Sequence, residues 1–135
     1  MIDILLVEDH PQVRRLLREL LATYADLRIV GEAQSGEEAL SLVATLQPAV
    51  VIIDIHLPAL NGIQTTKLIR RQCPLIAVIG LTAGEPSGDE TALMEAAGGA
   101  GLFDKAAIIE ALYPAIHEAV KHLQIQFSAH GPVNG

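Results

Sequence analysis

Hydrophobic residues in this chain follow two rhythms that alternate from one end to the other. Short apolar runs, Ile2–Val7 (IDILLV), Val50–Ile53 (VVII) and Leu75–Leu81 (LIAVIGL), are rich in Ile and Val. Runs this short and this continuous predict strands buried on both faces, as in a parallel sheet. Between them, apolar residues recur every three or four positions. Val13, Leu16, Leu17, Leu20 and Leu21 stand against Arg14, Arg15, Arg18 and Glu19, which predicts an amphipathic helix with Pro11 at its first position. Leu27–Ala33 (LRIVGEA) has the alternation of a shorter, more exposed strand. Ser35 and Glu38 have capping-box spacing and open a helix that runs to about Gln47, where Pro48 ends it. Pro58 and Asn61-Gly62 mark a loop, and a helix from Gly62 to Gln72 is closed by Pro74.

The last third continues the pattern. Gly84–Gly88 is a loop, Asp89–Ala97 a short Ala-rich helix, and glycines 98, 99 and 101 turn the chain into a brief strand, Ala100–Phe103. A final helix from near Ala106 carries Ile108, Ile109, Leu112, Ala115, Ile116, Ala119, Val120 and Leu123 on one stripe. Pro114 falls inside it and should kink it or loosen its first turns, because proline removes a backbone donor. Five strand–helix units in strict alternation require right-handed crossovers, hence an α/β fold with a parallel sheet covered by helices on both faces. Residues 1–125 are expected to form the domain. Residues 126–135, most plainly Ser128–Gly135 (SAHGPVNG), read as a tail or the start of a linker.

Composition narrows this picture. A chain of 135 residues is one domain, able to bury roughly two-thirds of its unfolded surface without covalent staples. Only four residues are aromatic, so the core must be aliphatic. One cysteine, Cys73, excludes an internal disulfide and fits a reducing, cytoplasmic setting. No apolar run approaches the ~20 residues of a membrane span. The net charge of −7, from nine basic and sixteen acidic residues, argues against direct nucleic-acid binding and suits a divalent cation better.

The chemistry gathers at strand ends. Glu8 and Asp9, Asp54, Thr82 and Lys105 each follow the last apolar residues of a different strand, so a parallel sheet brings them to one edge. Singly, an acid or threonine there is usually a cap or turn residue; as a set they point to a site. Three carboxylates about 5 Å apart repel by roughly 3 kcal/mol per pair at an effective dielectric of 20. A hard cation such as Mg²⁺ relieves this and accepts oxygen ligands. With the charge offset by a cation and Lys105, one carboxylate can attack a phosphoryl donor, and Thr82 can donate to the new phosphoryl group.

These motifs together, LLVEDHPQVR at 5–14, VIIDIHLPALNGI at 51–63, IGLTA at 79–83 and GAGLFDKA at 99–106, resemble the response regulator receiver (CheY-like) domain of two-component signalling over about residues 1–125. The resemblance implies a flavodoxin-like, doubly wound five-stranded sheet in the order 2-1-3-4-5. It implies Asp54 as phosphoacceptor, Asp9 as a direct Mg²⁺ ligand, Glu8 acting at the metal through water, and the His56 backbone carbonyl completing the ligands. Lys105 would pair with the phosphoryl group, and the Thr82 hydroxyl would move toward it. A histidine kinase or phosphotransfer protein is the implied donor. The EDHP opening, and a residue other than proline after Lys105, look most like receivers that precede a helix-turn-helix DNA-binding domain. A homodimer through the last two strand–helix units is a further expectation.

Two positions depart from the pattern. Receivers commonly carry Tyr or Phe where this chain has Leu102, with Phe103 beside it; either Phe103 substitutes through a local shift, or the chain signals without the aromatic switch. Pro114 lies in the helix that commonly forms part of the output or dimer face. His56 reads as a solvated loop residue or as one that tunes phosphoryl lifetime, while His117 and His122, five apart, do not have metal-ligand spacing. Other readings remain. A haloacid-dehalogenase-type phosphotransferase would want a second Asp where His56 stands, and a cap domain. A receiver-like module could bind protein without phosphorylation. A dinucleotide-binding fold would want a Gly-rich first turn, and EDHP has no glycine.

Overall fold

The computed structural model describes residues 1–130. The elements alternate without exception: β1 (Ile2–Val7), α1 (Pro11–Leu21), β2 (Leu27–Ala33), α2 (Gly36–Leu46), β3 (Val50–Asp54), α3 (Gly62–Gln72), β4 (Ala77–Thr82), α4 (Gly88–Ala96), β5 (Gly101–Asp104), a 3₁₀ turn (Lys105–Ala107) and α5 (Ile108–His130). All four strand pairings are parallel, in the order β2-β1-β3-β4-β5. The expected α/β fold and strand order are therefore those found.

Successive strand residues face opposite ways, and each face has its own core. Ile4, Leu6, Ile52, Ile79 and Leu81 pack with Leu17 and Leu21 of α1 and Leu112, Ile116 and Ala119 of α5. Leu5, Val7, Val51, Ile53 and Val78 pack on the other side with Ala39 and Val43 of α2, Ile69 of α3 and Met94 of α4. Every residue of β3 and β4 is buried, as their continuous apolar runs require. β3 is the central strand, so Asp54, its last residue, emerges at the middle of the sheet's carboxyl edge.

The differences from the sequence reading are local. Leu16 is 63% exposed and sits off the buried stripe of α1. β4 starts at Ala77 rather than Leu75, because Ile76 N–H donates to the Cys73 carbonyl in a turn and Leu75 is left outside. The expected capping box of α2 is half formed. Ser35 accepts from Glu38 N–H, but the Glu38 carboxylate takes the N–H of Gln34, one residue early. Full capping boxes stand instead at Asn61/Gln64 on α3 and Ser87/Glu90 on α4. The helix α5 runs through Pro114 and continues to His130, past the expected tail boundary at 125. The rest of that tail, 131–135, lies outside the described residues. Among the described residues, no helix is long and apolar enough to cross a membrane.

Candidate functional site

The carboxyl edge of the sheet gathers the acids and the lysine. Glu8 follows β1 and is 1% exposed; Asp54 ends β3 and is 6% exposed. Lys105 begins the 3₁₀ turn after β5, where Asp104 Oδ1 caps the turn by accepting from Ala106 N–H. That turn swings the lysine back over the edge, and its Nζ lies 2.7 Å from Glu8 Oε1 and 3.0 Å from Asp54 Oδ2. Asp54 Oδ1 accepts from the backbone N–H of His56 at 2.8 Å, which leaves the carboxylate fixed at both oxygens.

The loop that bears Glu8 is held from outside. Glu8 Oε2 accepts from His10 N–H at 3.2 Å. Arg14 donates Nη1 to the Glu8 carbonyl at 2.7 Å and Nε to Glu32 at 3.1 Å, and Glu32 is gripped again by Arg18. The polar residues of α1 thus brace the acidic loop against β2, a role their sequence spacing did not disclose.

The electrostatics follow from burial. Desolvation raises the Glu8 carboxyl above its ordinary range, and the Asp54 charge adds to this, although the Lys105 and His10 contacts oppose it. Burial pulls the Lys105 ammonium down, but the two carboxylates outweigh it and the net shift is upward. Lys105 is therefore held charged between two acids. One ammonium does not balance them once Asp9 is counted. One carboxylate oxygen from each of Glu8, Asp9 and Asp54 lies within 4.8 Å of the others. Among the described residues, Glu8 Oε1 is buried without a well-aligned hydrogen bond and has only the ammonium as its charge partner. An all-oxygen donor set with surplus negative charge fits a hard divalent cation such as Mg²⁺.

Thr82, 2% exposed, ends β4 beside the Asp54 strand, but its hydroxyl turns toward His56. His56 Nε2 is 3.2 Å from Thr82 Oγ1 and 3.2 Å from Glu90 Oε2 of α4. The side chain of His56 is over half exposed at the mouth of the site. Leu102 and Phe103 point to opposite faces. Leu102 packs beside Met94 and Ile55 next to Gly80, whereas Phe103 belongs to the core under α5. In the regular β4–β5 register Gly80 pairs with Leu102 and Leu81 with Phe103, so no local shift brings Phe103 into the Leu102 position. His117 joins Asp26 and Tyr113 at a distance from this site, and His122 is not part of it.

A fold with this order, closed at its carboxyl edge by two buried acids and a lysine, defines a narrow class. The family model described as response regulator receiver domain matches residues 4–117. The chain belongs to that family: it is a phosphoryl-accepting receiver of the two-component type. Response regulator GacA of Pseudomonas aeruginosa is 37% identical over 118 residues, covering 87% of this chain and 55% of that protein. Nitrate/nitrite response regulator protein NarL of Escherichia coli (strain K12) is 30% identical over 131 residues, covering 96% of this chain and 60% of that protein. Among solved structures, the response regulator domain of Thermotoga maritima CheB superposes with a TM-score of 0.82 at 26% identity, over 90% of this chain and 97% of that one. The chain spans a little over half the length of these two curated relatives.

Proposed function

We propose that Asp54 is the phosphoacceptor and that Glu8, Asp9, Asp54 and the His56 backbone carbonyl are the residues that hold Mg²⁺. The supporting observation is the Lys105 ammonium set between two buried carboxylates, 2.7 Å from Glu8 and 3.0 Å from Asp54, at the end of the central strand. An Asp54 oxygen attacks phosphorus in line; the P–N bond of a phosphohistidine donor breaks, and the departing imidazole takes up a proton. When bound, the cation draws off charge from the phosphoryl oxygens and the acids. Lys105 stays charged and exchanges its Asp54 contact for a phosphoryl oxygen, and the Thr82 hydroxyl donates to another. Water later cleaves the acyl phosphate, so the chain serves its own phosphorylation and slow dephosphorylation.

The donor in this reading is a histidine kinase or phosphotransfer protein. The response is carried by the face made of β4, α4, β5 and α5, where a groove of about 680 Å³ runs along the outer edge of β5. That face is the proposed surface for a homodimer or for contact with a DNA-binding output domain following this one, as in a cytoplasmic transcription regulator.

Intact mass after incubation with acetyl phosphate and Mg²⁺ tests the assignment. A phosphoryl adduct is expected on wild type, lost without Mg²⁺ and missing from Asp54→Asn. An adduct of equal yield on Asp54→Asn would place the acceptor elsewhere.

A further inference from the structure

Helix α4 is the least anchored of the five. Its only buried residue is Met94, while α1, α2 and α3 each bury two or more side chains. Elements with little buried apolar surface open most easily. Polar contacts at the first turn therefore matter more for α4 than for its neighbours. The Ser87/Glu90 capping box supplies two of them: Glu90 Oε1 accepts from Ser87 N–H at 3.0 Å, and Ser87 Oγ accepts from Glu90 N–H at 3.1 Å.

Glu90 Oε2 is left over, and it faces His56 Nε2 at 3.2 Å. The same nitrogen lies 3.2 Å from the buried Thr82 hydroxyl. A lone pair on Nε2 would oppose the carboxylate, so the proton belongs on Nε2, where it is shared between two oxygens. The imidazole thus spans three elements: the loop after β3, the end of β4 and the N-terminus of α4. His56 sits two residues beyond Asp54, whose Oδ1 holds the His56 N–H at 2.8 Å.

We propose that His56 is a positioning residue that ties the Thr82 hydroxyl to the first turn of α4 while Asp54 is unmodified. This rests on Asp54 being the acceptor and Thr82 the hydroxyl that turns to the phosphoryl group. Thr82 Oγ1 accepts from His56 Nε2, and turning that oxygen toward a phosphoryl group on Asp54 carries the acceptor away from the imidazole, so modification of Asp54 breaks the tie. The Glu90 contact is then left as a single exposed pair, which holds little. The state of Asp54 is passed to α4 through side chains, without need of an aromatic residue at position 102.

Hydrogen exchange of the α4 amides, with Mg²⁺ alone and with Mg²⁺ plus beryllofluoride, tests this. In wild type, beryllofluoride is expected to speed exchange in α4 about fivefold, the scale of one net hydrogen bond. In His56→Ala, the protein with Mg²⁺ alone should already exchange at the fast rate, so that the ratio between the two states falls toward one. His56→Gln, whose amide can reach both oxygens, should restore part of the ratio. A weakening of α4 by lost packing alone would instead speed both states and keep the ratio, and that result overturns the tie. So does α4 exchange in His56→Ala that equals wild type with Mg²⁺ alone. Fluorine NMR separates the premise from the proposal: absence of bound beryllofluoride on wild type overturns the reading of Asp54 itself, and with it the coupling.

Discussion

Gly62 shows how closely the site depends on single residues. It is the first residue of α3, and a Cβ there would collide with the Asp54 carbonyl oxygen and the Ile55 Cα. These are backbone atoms, which cannot rotate away. Gly62→Ala should therefore cost about 1–3 kcal/mol through overpacking, read as a lower urea midpoint, and should displace the strand end that carries Asp54. An unchanged midpoint would mean that the helix start yields without strain. The sequence makes Gly62 visible only as half of an Asn-Gly turn signal; the reason for glycine lies in an approach between helix and strand that no local pattern encodes. Glu8, Asp54 and Lys105 were legible for the opposite reason. Glu8 and Lys105 directly follow a strand and Asp54 ends one, and parallel strands share one edge, so topology alone places them together. Where each side chain turns was not legible. Thr82 facing His56 rather than the acids depends on the loop after β3, which includes Ala59 in the left-handed region at φ 59°.

At the scale of elements, periodicity located every strand and helix, and the errors fell at their ends. The start of α2 falls where Ser35 was expected to cap it, and only the reciprocal contact differs, since the Glu38 carboxylate takes the N–H of Gln34. Two complete capping boxes went unread because Asn61/Gln64 and Ser87/Glu90 lie within stretches that also read as loops. Helix α5 tests the effect of proline directly. Pro114 is exposed and is the seventh residue of the helix that starts at Ile108. Its missing N–H leaves the Glu110 carbonyl without a helical donor, yet packing of Leu112, Ile116 and Ala119 keeps the helix continuous. Pro114→Ala restores the donor and removes no buried surface. It should stabilise the protein by about 1–3 kcal/mol, part of which is offset by the freer unfolded chain. Chemical denaturation measures it, and a lower midpoint for the alanine variant would show that the ring serves the native helix.

The whole molecule is fastened at its far edge as well. Tyr24 and Asp26 lie in the loop between α1 and β2, where the Asp26 carbonyl accepts from Ile2 N–H at the amino end of the sheet. Tyr113 of α5 stacks on Tyr24, ring centres 4.0 Å apart, and donates its hydroxyl to Asp26 Oδ2 at 2.8 Å; His117 Nε2 reaches the same oxygen at 2.7 Å. This cluster joins residues 87 or more positions apart, which is why no spacing in the sequence announced it. It fixes the middle of α5 against the loop before β2. The Tyr113 hydroxyl, with help from His117, holds the Asp26 carboxyl below its ordinary value of 3.8. Asp26 in turn pushes the Tyr113 hydroxyl above 10.0. A carboxyl depressed by folding stabilises above its unfolded pKa and loses that contribution as pH falls through the lower folded value. A tyrosine raised by folding stabilises below its unfolded pKa and loses the contribution as pH climbs through the higher folded value. The stability gap between wild type and Tyr113→Phe should therefore be flat between these limits, shrink once pH drops below the carboxyl's ordinary 3.8, and shrink again once it exceeds 10.0. Urea midpoints of the two proteins across that range measure the gap, and no gap at any pH would show that the ring stacking on Tyr24, which phenylalanine keeps, and not the hydroxyl, makes the fastening.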